Sequence, residues 1–376
     1  MQNHKTERLE SLDILRGFDL FCLVCFQPVF IAFGKVVDTP WMNILMKPFE
    51  HVAWEGFTFW DIIMPLFMFM AGVSMPFAFA KYFENKNRTN LYMKIIKRFF
   101  LLWIFGMMCQ GNLLALDFQR IYFYSNTLQA IAMGYLISAL LILNFKLRGQ
   151  IISVIAFLLI SWTILTFVKN GSWGGGSFGP DNNFAEYIDR MILGRFRNRV
   201  TQTDTGLDFG NYRYTWILSS MNFGVTVMTG VFAGQILKSE KTPLKKLHLL
   251  LLIGVALIVA GQLWSLQMPI IKKIWTSSMT LFSSGICFLL MALFYYIIDY
   301  KKIGKGLKWL KIYGMNSILA YMLYSIVDFS GVIHSILYGV EQYIGNYYGA
   351  LLQMGSVSVI SLILWIMYKN QVFLKV

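Results

Sequence analysis

The sequence predicts an all-α membrane protein, a polytopic bundle of about ten transmembrane helices with both termini inside. Three observations predict it. Hydrophobic residues make up 57% of the 376 and charged residues 14%, against roughly 25% charged in a soluble domain. Too few polar side chains exist to coat the apolar mass, which excludes disorder, a coiled coil and an ordinary soluble enzyme. Apolar runs of about 20 residues, the length that crosses a bilayer, recur along the whole chain. The formal charge of +14 is spread over short runs between those stretches. A nucleic-acid binder gathers its cations on one solvated face, so nucleic acid is not an expected partner.

Taken in order, the candidate spans are 11–34, 57–82, 93–115, 121–143, 148–168, 214–237, 246–266, 274–298, 309–329 and 347–368. The connecting segments set their direction. Lys81, Lys86, Arg88, Lys94, Lys97 and Arg98 precede or open the third span, and Lys146 and Arg148 lie between the fourth and fifth. Lys238, Lys241, Lys245 and Lys246 follow the sixth, and five lysines occupy 301–311. All fall on one side, while the alternate loops hold only Lys35 and Lys47, then Arg120, then Lys272 and Lys273, then no Lys or Arg in 330–346. The positive-inside rule therefore gives N-in and C-in. Loop 169–213, with Arg190, Arg195, Arg197 and Arg199, dissents, but long loops translocate under weaker charge control. Its run Gly171–Pro180 cannot hold a helix; it reads as a flexible tether before it reads as a lid, and it lacks the lysine of a phosphate loop. Residues 1–376 read as one membrane-embedded domain carrying that extracytoplasmic loop. Cys22, Cys25, Cys109 and Cys287 lie inside apolar runs and read as packing thiols. The first span follows a short charged head with no obvious cleavage site, so a cleaved signal is not expected.

Ionisable groups at membrane depth are costly, which makes each a candidate for function. Asp13, Arg16 and Asp19 are spaced to share one helical face and to pair locally. Asp328 near the end of the ninth span fits either a structural or a functional role in the same way, and Gln110, Gln129, Asn222, Gln262 and Asn316 read as bonds between helices. Segment 49–76 differs, because Glu50, His51, Glu55 and Asp61 gather at the mouth of the second span. His51 and Glu55 share a face if that stretch is helical, and Pro65 would free backbone groups inside the span. Of the four histidines His51 alone has carboxylates on both sides. A neutral imidazole held by a carboxylate acts as a general base or as a nucleophile. Zinc is the weaker reading, since no further His or Cys stands at useful spacing, and no metal is expected.

Motifs in these positions resemble a known family. Arg8-Leu-x-Ser-Leu-Asp-x-x-Arg-Gly17, His51-x-x-Trp-x-Gly-x-Thr-x-x-Asp-x-x-x-Pro65 and Phe67-x-Phe-x-x-Gly-Val-Ser74 are similar to the heparan-alpha-glucosaminide N-acetyltransferase family and its bacterial relatives. Thr127-Leu-Gln-Ala-Ile-Ala, Pro269-Ile-x-Lys-x-Trp-Thr-Ser-Ser278 and Gly314-Met-Asn-Ser-Ile-Leu-Ala-Tyr321 support it, so the resemblance covers nearly the whole chain. It implies transfer of an acetyl group from cytosolic acetyl-CoA to the amine of a glucosamine at the far side of a membrane, here the inner membrane of a bacterium. His51 falls on the family's active-site histidine and Asp61 on its aspartate, an orienting partner. Trp54, Glu55, Arg16, Gln129 and Asn316 are the candidates for contacts with donor or acceptor. The expected partners are that donor, a sugar acceptor and the bilayer, with a homodimer as the assembly considered. The chain departs from the family at Gln27, where an asparagine is usual, at Ala130 in place of arginine, and at Tyr212–Trp216 in place of an acidic stretch. The large N-terminal lumenal region of the lysosomal enzyme has no counterpart in these motifs. A transporter of a sugar or lipid-linked intermediate is the alternative, though no inverted pair of broken helices is visible. A scaffold without chemistry would leave the His51–Asp61 cluster unexplained.

Overall fold

The computed structural model describes residues 9–84, 88–110, 113, 117, 121–204 and 206–374. Arg8, Lys86, Arg120, the end of the run 93–115 and the side chain of Lys81 lie outside the described residues. Most of each apolar run is helical among the described residues. Among the described residues eight helices are long and apolar enough to cross a bilayer: Glu10–Val37, Phe59–Ala80, Thr127–Asn144, Leu147–Phe167, Ser219–Lys238, Pro243–Trp264, Ser277–Tyr300 and Glu341–Lys369. Ser317–Ile326 and Phe329–Ile336 make a ninth if counted together, bent by 65° at the break between them. The run expected at 93–115 lies on the helix Arg88–Met108, whose N-terminal half carries Arg88, Lys94, Lys97 and Arg98 and leaves a short apolar remainder.

The helices group into two compact units. The first comprises the described residues of 1–51, 58–63 and 293–375. Its entry helix is α-helical over Glu10–Phe21, widens to a π-turn at Cys22–Phe26 and continues as Gln27–Val37. A methyl placed on Gly17 would overlap the Leu310 carbonyl, and one on Gly314 the Asp13 carbonyl, so paired glycines let Glu10–Phe21 touch the segment that ends at Met315. Phe21 packs edge-on against Trp309 and Tyr313 beside that contact, and Glu10 pairs with Lys311. Asp13 and Arg16 stand 3.9 Å apart on the shared face and Asp19 is fully buried. None of the four cysteines is in a disulfide.

The second unit comprises 52–57 and 64–292. Its centre is Ser219–Lys238, rich in Gly, Ser, Thr and Ala and buried along almost its whole length. Gly72 abuts the Val227 carbonyl, Gly230 the Phe69 carbonyl and Gly134 the Phe223 carbonyl, the small-residue packing that membrane helices use. Buried side chains cross-link the same helix. Asn222 donates to Ser161 Oγ at 3.0 Å and to the Trp275 carbonyl at 2.7 Å, and Thr229 to Ser284 Oγ at 3.1 Å.

Loop 169–213 is folded rather than a tether. Lys169–Asn170 pairs with Trp173–Gly174 as a small hairpin, and Gly171, Gly174, Gly175 and Gly176 all take positive φ. Glycine here makes tight turns, which is a different use from flexibility. The helix Phe184–Leu193 follows, capped by Asn183, whose side chain accepts from the Glu186 N–H at 2.8 Å. Arg190 and the fully buried Arg197 both pair with Glu186, and Arg190 lies between the Trp173 and Phe209 rings. Arg190 and Arg197 are thus engaged inside the loop. Asp189 accepts from the Trp216 and Ile217 N–H groups at 2.8 and 2.9 Å and so anchors the start of the central helix.

Two outcomes follow from this packing. Gly72→Leu forces backbone apart and lowers the thermal midpoint in detergent by on the order of 5 °C or more, whereas Gly349→Ala, which meets open space, leaves it unchanged. Burial pushes the Asp189 carboxyl up to about 7, against the pull of the two N–H bonds and Arg197. The folded chain therefore keeps a proton that the unfolded chain releases near pH 4. This contribution is full below about pH 4 and lost as the pH rises through about 7. Opening free energies of 184–217 from hydrogen exchange should fall by on the order of a few kcal/mol across that window, and Asp189→Asn should flatten the trend.

Candidate active site

The approach to His51 is fixed by one aromatic ring. Phe49 ends the 3₁₀ turn Lys47–Phe49, and its side chain is enclosed by Phe26, Phe30, Phe59 and Trp60 with centroids 5.1–6.4 Å away. Gln27 Nε2 donates to the Phe49 carbonyl at 2.9 Å. The next residue, Glu50, is extended, and its carbonyl accepts from Thr58 Oγ1 at 2.7 Å.

Thr58 begins the 3₁₀ turn Phe59–Ile62 as its N-cap and forms a capping box with Asp61. Its N–H donates to Asp61 Oδ2 at 3.1 Å, with Oγ1 3.0 Å from the same oxygen. The other oxygen, Oδ1, lies 2.7 Å from His51 Nδ1. The Asp61 side chain is 3% exposed and that of His51 44%. An ionised carboxylate only accepts, so the proton between them belongs to Nδ1 and the lone pair of the ring to Nε2. This is the arrangement of an oriented base or nucleophile.

The expected shared face of His51 and Glu55 does not form. Residues 50–58 are bent rather than helical, and Gly56 takes φ +117°, which a helix does not allow. Pro65 does not break a helix either. It falls in the first turn of Ile63–Glu84, where the missing N–H has no helical partner to lose.

The remaining candidates are placed as follows. In the first unit Arg16 faces Asp13, and Asn316 ties the end of the chain, donating to the Val372 carbonyl and accepting from the Leu374 N–H at 3.0 and 2.9 Å. In the second unit Gln129 Oε1 accepts from the Ser125 and Asn126 N–H groups, closing the capping box of Thr127–Asn144, and Nε2 donates to the Phe123 carbonyl. Trp54 Nε1 donates to the Phe178 carbonyl at 2.8 Å, and Gly56 N–H to that of Ile270 at 2.9 Å, anchoring the strap 52–57. Glu55 on that strap is exposed. Thr58 is the site residue that charge and resemblance did not single out as a participant. Its signal was present as Thr58-x-x-Asp61, the spacing of a capping box. Among the described residues no three His, Cys, Asp or Glu side chains gather as a metal site.

Comparison with known proteins bears out the resemblance read from the motifs. A family model described as a domain of unknown function (DUF5009) matches residues 8–115. The chain is 28% identical over 371 residues to heparan-alpha-glucosaminide N-acetyltransferase of Homo sapiens, covering 85% of this chain and 53% of that protein. It is 26% identical over 370 residues to the protein of the same name from Mus musculus, covering 85% and 54%. The chain thus spans about half the length of the curated relatives it matches.

The Thr58 N–H can only donate, so in Asp61→Asn the amide oxygen must face Thr58 and the amide NH₂ must face His51. The proton then moves from Nδ1 to Nε2. Nitrogen-15 spectra of labelled histidine should report an Nδ1–H tautomer for His51 in the native chain and the opposite tautomer in the variant. The same tautomer in both would contradict the assignment.

Proposed function

We propose that the chain is an integral membrane acyltransferase that moves an acetyl group from cytosolic acetyl-CoA to the amine of a glucosamine-type sugar at the outer face of a bacterial inner membrane. The observation that carries this reading is the bond between His51 Nδ1 and the buried Asp61, in a chain similar over most of its length to proteins named N-acetyltransferases. Asp61 holds the Nδ1 proton and so presents the Nε2 lone pair. As a base, Nε2 takes the proton of the acceptor amine while its nitrogen bonds to the thioester carbonyl carbon, the C–S bond breaks and the thiolate recovers the proton. As a nucleophile, Nε2 itself bonds to that carbon and the thiolate leaves; the amine then displaces the imidazole and its proton goes to the thiolate.

Charge supports the donor side of the proposal. The unit that holds His51 also carries the exposed Lys301, Lys302, Lys305 and Lys308, a run that attracts a phosphorylated donor electrostatically. With the N-terminus inside, the positive-inside rule puts that run on the cytosolic side and loop 169–213 outside.

Purified protein supplied with labelled acetyl-CoA and glucosamine should transfer label, and His51→Ala should lower the rate by about 10²–10⁴-fold. Equal transfer by both proteins would remove His51 from the reaction. Mass spectrometry after acetyl-CoA alone separates the routes: acetyl on His51 marks the nucleophilic one, an unmodified ring the basic one.

A further inference from the structure

Thr58 carries two donors and faces two acceptors. Its N–H lies 3.1 Å from Asp61 Oδ2, and its hydroxyl lies 2.7 Å from the Glu50 carbonyl and 3.0 Å from the same Oδ2. A hydroxyl has a single proton, so it serves only one of them. The distances say which. A hydroxyl on a neutral carbonyl sits at about 2.7–2.8 Å, and one on a carboxylate closes to about 2.5–2.7 Å. The contact with the carbonyl fits the first range, and the contact with the carboxylate is too long for the second. The proton therefore lies on Glu50. That carbonyl has no other protein donor among the described residues, whereas Oδ2 already accepts the Thr58 N–H.

The groups then close a circuit. The Glu50 carbonyl takes the Thr58 hydroxyl, the Thr58 N–H goes to Asp61 Oδ2, and His51 Nδ1, on the residue that follows Glu50, donates to Oδ1 at 2.7 Å. That last bond is shorter than the ordinary N–H···O distance of about 2.9–3.0 Å, so the charge of the carboxylate is spent on the ring. Upstream, the Phe49 carbonyl is held by Gln27. Glu50 itself is extended with an exposed side chain, so its carbonyl is where this stretch is gripped.

We propose that Thr58 is a positioning residue for acyl transfer: its hydroxyl fixes the backbone that carries His51, and leaves the charge of Asp61 to the imidazole. The inference rests on the reading above for the reaction, though not for the geometry. It divides two tasks between two donors, the N–H orienting the carboxylate and the hydroxyl orienting the chain that bears the ring. Without the hydroxyl, Asp61 keeps its N–H donor and Nδ1 keeps its proton, but the ring meets the carboxylate less well. The opposite assignment has the opposite consequence. A hydroxyl on Oδ2 draws charge from the carboxylate, so its loss tightens the bond to Nδ1.

The test compares Thr58→Val, Thr58→Ser and Thr58→Cys in the full chain in detergent. Valine deletes the hydroxyl and keeps the N–H, serine keeps both, and cysteine keeps only a weak side-chain donor. The first readout is the proton resonance of His51 Nδ1–H, identified by its loss in His51→Ala. It moves downfield as its hydrogen bond strengthens, and it needs no acetyl-CoA. Thr58→Val should move it upfield and Thr58→Ser should leave it in place. Thr58→Cys should fall between them, which keeps the test intact if valine unfolds the turn. A downfield shift in Thr58→Val or Thr58→Cys puts the hydroxyl on Asp61 and overturns the proposal, and an unmoved resonance overturns it as well. The second readout is acetyl transfer. Thr58→Val should lower kcat by about tenfold with KM for acetyl-CoA unchanged, and Thr58→Ser should restore it. A native kcat in Thr58→Val, or a loss carried by KM, overturns the positioning role. An upfield shift alongside no transfer by the native protein strikes the reaction alone, and native transfer with a downfield or unmoved resonance strikes the role of Thr58 alone.

Discussion

Asp61 is almost wholly removed from solvent, and each of its oxygens meets a donor: Thr58 on Oδ2 and His51 on Oδ1. An isolated carboxylate at that depth is strongly disfavoured. The pair is therefore mutually required, since Asp61 is tolerated because donors surround it, and His51 is held in one tautomer because Asp61 can only accept. The backbone supplies the precision. Thr58 reaches both Asp61 and the Glu50 carbonyl, and the Phe49 ring, enclosed by four aromatics, fixes where that carbonyl lies. A half-exposed ring thus inherits its orientation from groups that are themselves buried or packed.

The same economy of polar groups governs the helices. Lipid is as apolar as leucine, so membrane helices gain little from hydrophobic burial against each other and associate through close packing and buried hydrogen bonds. Each unit satisfies this with facing glycines, Gly17 with Gly314 in the first and Gly72 with Gly230 in the second. The backbone carbonyl occupies the space a methyl would take. Asn222 and Thr229 then add the directional bonds that fix rotation about the helix axis.

Much of this was legible because hydropathy and charge act over long windows. The spans of 148–168 and 246–266 emerge as Leu147–Phe167 and Pro243–Trp264, almost unchanged. His51 and Asp61 stood out as ionisable groups at the mouth of a span, and they meet. What was not legible depends on single dihedrals. Glu50 is extended and Gly56 takes φ +117°, so no helix joins His51 to Glu55. The run 309–329 was read as one span, and Asp328 near its end was read as an ionisable group in it rather than as the cap of a second helix. The arginines of 169–213 were read by their number, whereas Arg190 and Arg197 are engaged by Glu186, and Arg190 also by Trp173 and Phe209. Counting charge says nothing about which charges are already paired.

Three carboxylates show a common solution to placing an acid in such a chain. Asp61 closes the capping box of the turn that leads into Ile63–Glu84. Asp328 caps Phe329–Ile336. Asp189 accepts two N–H groups just before Ser219–Lys238. A helix start offers N–H groups that have no helical acceptor and a partial positive charge, so an acid there meets a need of the backbone while its own charge is partly met. The three differ in what remains. Asp189 has Arg197 among the groups that act on it, which makes it a strut. Asp61 gives its remaining oxygen to an imidazole, which makes it an orienting group. Asp328 is exposed, and among the described residues it pairs with no Lys, Arg or His. Once backbone needs are met, what takes up the residual charge of a carboxylate is what distinguishes a structural acid from an orienting one.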